Sequence, residues 1–195
     1  MKVLTITDQL SVYFAKIILA NELGGDLSLA YRFSDPDGER SGKSGWSFGI
    51  VQIDINNNVN TLLALKEMDF TTDEISGLRS QTIPIDPMNA KLKAHGDIVN
   101  KWDRQQMREC LTVPLVRCNE IGVDFTGEET FLHIADYHNQ FSMSRHGKLS
   151  SWLSTQTDPI SPEMVRDFKL ALPWGVKCPK DVNRRYENIV RIVRG

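Results

Sequence analysis

Between Asp8 and Glu22 the apolar residues Leu10, Phe14 and Ile18 recur every four positions. On a helix of about 3.6 residues per turn that spacing draws one slowly drifting apolar stripe. It predicts a helix over residues 8–22, and Gly24-Gly25 reads as its stop. Glu22 closes the stripe on its apolar side. A carboxyl held there is poorly hydrated, which favours the neutral acid and suits it to hand a proton to a leaving oxygen. The competing reading is a helix end that frays into water beside the glycine pair.

The pattern then changes character. Residues 35–45, Asp-Pro-Asp-Gly-Glu-Arg-Ser-Gly-Lys-Ser-Gly, are crowded with turn formers and charge and read as a loop or a hairpin arm. Trp46 to Asp54 is aromatic and β-branched enough for a short strand, or a strand turning into a helix. Asn56 to Asn60 forms a polar break, and from there the chain reads mainly helical. Thr71 with Glu74 and Thr126 with Glu129 have capping-box spacing, and Ser161-Pro162 sets a cap before a proline at the first helical position. The segment from Thr126 to Asn139, with Phe131, Leu132, Ala135 and Tyr137, and the segment from Asp181 to Arg194, with Val182, Tyr186, Ile189, Val190 and Val193, both look core-facing. No repeat, low-complexity tract or composition shift marks a linker. The expectation is one mainly helical α+β domain over residues 1–195 with a small β element after the first helix.

With 195 residues the chain is long enough to bury a proper core. Its 23 Lys and Arg against 25 Asp and Glu give no basic field, so no nucleic-acid partner is expected. Met1 to Thr7 lacks the pattern of a secretory signal, and the apolar cluster Val12 to Ala20 is broken by Lys16 and too short to span a bilayer. Cytoplasmic synthesis without stable membrane insertion is therefore expected. Cys110, Cys118 and Cys178 lack metal-ligand spacing and read as reduced, buried or inert thiols. His138 and His146 have no carboxylate or cysteine at ligand spacing, so neither a metal nor another cofactor is expected. There is no Gly-x-Ser-x-Gly elbow and no phosphate-binding loop.

Three stretches carry a resemblance. Phe48-Gly49-Ile50-Val51-Gln52-Ile53-Asp54 resembles the Gly-Leu-Met-Gln motif of lytic transglycosylases and goose-type lysozymes, with Asp54 closer to the goose-type version. Ile134-Ala135-Asp136-Tyr137-His138-Asn139-Gln140, followed by Gly147-Lys148-Leu149 and Ser151-Trp152-Leu153, is similar to that group's Ala-Tyr-Asn-Ala-Gly signature and its Trp-Leu sequel, with His138 interrupting the Tyr-Asn pair. Arg185 to Val190 looks like its closing tyrosine helix. The resemblance implies a lysozyme-like fold with a small β-hairpin after the first long helix. It implies cleavage of peptidoglycan glycan strands by a monomeric enzyme without a separate wall-binding module. The size resembles that of bacteriophage endolysins, which are made in the host cytoplasm and reach the wall through a membrane lesion.

In that frame Glu22 is the general acid. The interval from Glu22 to Gln52 is longer than the family's, and the extra length is the 35–45 loop, which leaves open a lid, a metal loop or a second carboxylate. Asp37 is the candidate for that carboxylate and Asp35 the alternative, against a plain solvated turn. Gln52 suits a grip on an N-acetyl or hydroxyl group, or is a strand residue bonded to backbone. Ser47 holds a water or sugar hydroxyl, or serves the turn. Tyr137 offers a flat face for sugar stacking or for the core, and Tyr186 does so less strongly. Asn139 bonds an acetamido group or caps its helix. Trp46 and Trp152 default to burial, and His133 reads as a satisfied core residue. Three alternatives stand beside the hydrolase: a lytic transglycosylase giving 1,6-anhydro products, a non-catalytic wall-binding or virion protein, and a chitosanase-like enzyme, for which a net charge of −2 gives little support.

Overall fold

The computed structural model describes residues 5–35, 38 and 44–195. It is mainly helical, with ten helices among the described residues and one two-stranded antiparallel sheet. The chain forms two compact units, one of residues 1–21 and 107–195, the other of residues 22–106.

The first unit opens with residues 8–21 of α1 (Asp8–Leu23), a helix one residue longer than its pattern predicts. Leu10, Phe14, Ile17 and Ile18 are fully buried, as the stripe requires. The rest of the unit comes from the second half of α5 (Gly96–Ile121) and from α6 (Glu128–Phe141), α7 (Lys148–Leu153), α8 (Pro162–Ala171), α9 (Pro173–Lys177) and α10 (Pro179–Arg194). Its core gathers Cys118, Val123, Ile134, Tyr137, Met143, Leu149, Leu153, Ile160 and Val165. Ser161 caps α8 through Met164 N–H at 3.3 Å with Pro162 behind it, as expected. The Thr126–Glu129 capping box does not form. The Thr126 hydroxyl and N–H both donate to the Ile160 carbonyl, at 3.2 and 3.0 Å, where Phe125 and Ile160 form a parallel bridge. Glu129 instead takes a bidentate pair from Arg194, both bonds 2.7 Å. A partner more than thirty residues away has outcompeted a local one.

The second unit is built around a hairpin. A short 3-10 turn (Leu27–Tyr31) follows α1, capped by Asp26, whose carboxylate accepts from Ser28 N–H and hydroxyl at 2.9 and 2.6 Å. Trp46 to Asp54 is neither one strand nor a strand leading into a helix. It folds back as β1 (Ser47–Phe48) and β2 (Ile53–Asp54), pairing Ser47 with Asp54 and Phe48 with Ile53. The reversal needs left-handed backbone at both ends of the connection: Gly49 has φ +77° and Gln52 has φ +54°. Helices α2 (Thr61–Glu67), α3 (Thr72–Arg79) and α4 (Ile85–Ala94) and the first half of α5 complete the unit. The Thr71–Glu74 capping box closes in both directions, at 3.2 and 2.7 Å. Phe33 sets its ring edge-on to Phe48 and Phe70, with centroids 5.7 and 6.0 Å apart, and anchors the hairpin in the core.

Candidate active site

Glu22 sits in the last turn of α1, half-buried. The helix stops directly after it because Gly24 and Gly25 take φ values of +60° and +91°, a conformation other residues resist. The end of α1 is gripped just before Glu22. Asn21, 5% exposed, donates from Nδ2 to Asp136 at 2.9 Å and accepts from Asn188 at 2.9 Å. Arg184 donates to the carbonyls of Ala20 and Asn21, at 3.4 and 3.1 Å, satisfying acceptors that a helix end leaves open.

After α1 the 3-10 turn offers the Ala30 carbonyl to Gly49 N–H at 2.9 Å, joining this segment to the hairpin. Ser34 and Ser47 exchange backbone bonds of 2.8 and 2.7 Å. Ser47 is buried, 1% exposed, so the hairpin encloses it. Gln52, half-buried, has its side-chain amide held from two sides: Nε2 donates to the Gly49 carbonyl at 2.9 Å and Oε1 accepts from the Ser34 hydroxyl. Gln52 is thus bonded to backbone while its amide keeps spare hydrogen-bonding capacity.

The carboxylates differ sharply. Asp54 is occupied by backbone: it accepts from Asn56 N–H (2.7 Å), Asn57 N–H (3.0 Å) and Asn57 Nδ2 (3.0 Å), which sets the polar break that follows. Asp35, next to the Ser34–Ser47 bridge, keeps Oδ1 shielded from solvent and without a hydrogen-bond donor among the described residues. Asp37 lies outside the described residues.

Sequence reading missed Asp103. It projects from α5, 1% exposed, and accepts from Ile50 N–H at 2.9 Å and Val51 N–H at 3.2 Å. Burial pushes its acid constant up to about 6, against the pull of the two N–H groups and of Arg104. The packing is tight enough to require glycine at position 49, where a Cβ would fall 2.4 Å from Asp103 Oδ1. A signal was present, because Asp103 follows buried Val99 by one helical turn and shares the stripe, as Glu22 follows Ile18.

Compared with known proteins, the chain matches no family model, no curated protein and no solved structure.

Tyr137 and Asn139 belong to α6, in the first unit. Tyr137 is 5% exposed, between the rings of Phe141 and Phe168 at 5.1 and 5.9 Å, which is the core role. Asn139 lies inside α6 and accepts from the Cys110 thiol at 3.6 Å, while His138 Nδ1 closes the helix end by accepting Met143 N–H at 2.8 Å. The adjoining Asp136 is fully buried and binds Arg185 (2.7 and 3.2 Å) and Lys169 (2.9 Å). Desolvation would raise its acid constant, but the two cations and their hydrogen bonds hold it well below the usual carboxylate range. His133 is buried as expected, yet not satisfied: it stacks on Tyr186 at 5.0 Å while Nε2 has no partner. Burial lowers its acid constant to about 3, so it stays neutral. Tyr186 is half-buried and donates to Glu163 at 2.8 Å. All three cysteines are free, and burial pushes the Cys118 thiol up to about 12, which makes it inert.

Proposed function

We propose that the chain is a peptidoglycan muramidase of lysozyme-like fold, cleaving between N-acetylmuramic acid and N-acetylglucosamine with Glu22 as general acid. The observation that carries this reading is the placement of Glu22: half-buried in the last turn of a helix whose end is fixed by Asn21 and Arg184, and followed by a segment bonded directly to the Gly49–Gln52 turn. The protonated carboxyl gives its proton to the bridging oxygen as the C–O bond breaks and positive charge builds on the sugar ring. Water adds to the anomeric carbon, and the proton it loses passes to a second carboxylate. Asp35 suits that role better than Asp54, since one of its oxygens is shielded and unclaimed among the described residues whereas Asp54 is committed to four donors, Gly45 N–H among them. Asp37 remains the other candidate. Gln52 grips an acetamido or hydroxyl group with the capacity its internal bonds leave over.

The test is Glu22→Gln, which keeps the shape of the side chain but cannot donate an acid proton. Lysis of outer-membrane-stripped bacteria should fall about a hundred-fold to ten-thousand-fold with the melting curve nearly unchanged. Full activity in that variant overturns the assignment in favour of a non-catalytic role. Mass analysis of digested peptidoglycan decides the reaction: free reducing ends mean hydrolysis, and products lighter by one water with an anhydro ring mean a lytic transglycosylase.

A further inference from the structure

The Gly49–Gln52 turn stands on a group with no evident reason to be charged. Two backbone N–H groups need acceptors, and a neutral carbonyl or hydroxyl would serve each without the penalty of burying a carboxylate. Asp103 is 1% exposed and forms no ion pair among the described residues. Among the described residues, Arg104, on its own helix, is the one charged side chain that acts on it, and the turn above contributes the N–H groups of Ile50 and Val51.

What a carboxylate does that a neutral group cannot is accept two donors at once through two equivalent oxygens. An amide in the same place would turn its own NH2 against one of the N–H groups. The bond from Ile50 N–H fixes the plane of the 49–50 peptide, and in a trans peptide the carbonyl points opposite the N–H. That carbonyl, Gly49 O, accepts the Gln52 side chain at 2.9 Å and Gln52 N–H at 3.3 Å. A hydrogen-bonded relay therefore runs from Asp103, through one peptide unit, to the amide of Gln52. Gln52 in turn is held at φ +54°, a conformation that costs a non-glycine residue on the order of 1 kcal/mol and persists only where its surroundings impose it.

We propose that Asp103 is a positioning residue for substrate binding: its two oxygens set the Gly49–Gln52 turn and thereby orient the Gln52 amide toward a glycan acetamido or hydroxyl group. The proposal rests on the muramidase reading for the identity of the ligand, but not for the relay itself. Protonation converts one acceptor oxygen into a donor, so the turn should loosen and affinity fall as the carboxyl takes up its proton. Asp103 touches no reacting atom, so the effect falls on binding.

The experiment has two arms. In the free wild-type protein, amide resonances of Ile50 and Val51 and the side-chain amide of Gln52 are followed by NMR from pH 7.5 to 4.5. A shared midpoint near 6 is expected, and Asp103→Asn should abolish it. This arm needs neither substrate nor, for the wild type, a variant that must fold. In the second arm a soluble GlcNAc–MurNAc tetrasaccharide is titrated into Glu22→Gln protein, with and without Asp103→Asn. Affinity should drop about tenfold in the double variant, as expected for one misplaced hydrogen bond, and should fall toward pH 5 only where Asp103 is present. Gln52 resonances that ignore the Ile50 and Val51 titration, or affinities within twofold at both pH values, overturn the proposal. A shared titration with no tetrasaccharide binding by any form sinks the muramidase reading while the Asp103–Gln52 relay stands.

Discussion

Two buried carboxylates, one in each unit, show how the same burial leads to opposite electrostatics. Asp136 is fully enclosed and faces Lys169 and Arg185, themselves 4% and 3% exposed, with Asn21 completing its shell. Asp103 is equally enclosed but, among the described residues, its hydrogen bonds come from two peptide N–H groups, with Arg104 acting only through its charge. Directly bonded cations keep the first ionised at any working pH, whereas peptide dipoles and the charge of Arg104, which does not pair with it, leave the second within reach of physiological protonation. The first unit holds a fixed charge, and the second holds one that can change.

The largest effect expected from breaking this comparison is in the first unit. Asp136→Ala leaves two cations buried without a counter-charge and should lose about 3–5 kcal/mol in denaturant unfolding. Asp136 also sets an acid limit: its depressed constant contributes stability that is fully present above the unfolded value of about 4 and is lost as pH falls below it. Asp103 acts with the opposite sign. Between an unfolded value near 3.8 and a folded value of about 6 the native state binds the extra proton, so stability falls as pH rises through that window. The difference is about 3 kcal/mol as an upper bound, and Asp103→Asn should remove that slope from stability measured at stepped pH. His133 works against it, because the unfolded chain takes up the proton between 6.5 and about 3 and stability falls with acid. The wild-type profile thus mixes two opposed slopes, and only comparison of variants separates them. The smallest effect is expected from His133→Phe, which removes an unpartnered buried nitrogen. It should change stability by no more than about 1 kcal/mol at pH 7 while flattening the acid side of the profile.

The periodicity of α1 was legible almost to the residue, because Leu10, Phe14 and Ile18 are buried by a simple helical repeat. The Thr71 and Ser161 caps were legible for the same reason: both involve residues three positions apart. What escaped were features decided by distant partners. Thr126 gave its hydroxyl to Ile160, and Asp103 is explained only by a turn about fifty residues earlier. Arg185 lies on the buried line of α10 between Val182 and Ile189, where its charge masked the apolar pattern. The small β element after the first helix was expected, but not the point at which it reverses. Gln52 takes a left-handed conformation that its residue type does not advertise, so the turn fell inside a stretch that read as a single strand. Of the candidate site, Glu22 and Gln52 lie in the same unit as Asp35, whereas Tyr137 proved to be core and Asn139 a helix-interior partner of Cys110.

The clasp on Asn21 also orders events in time. Arg184 and Asn188, which hold it, follow it by 163 and 167 positions. During synthesis α1 emerges early but must wait for α10 before its end is secured, while residues 22–106 form one uninterrupted stretch that can collapse beforehand. A nascent chain would therefore carry a shaped turn well before the end of α1 is clasped, so that this part of the molecule is completed only once α10 has been made.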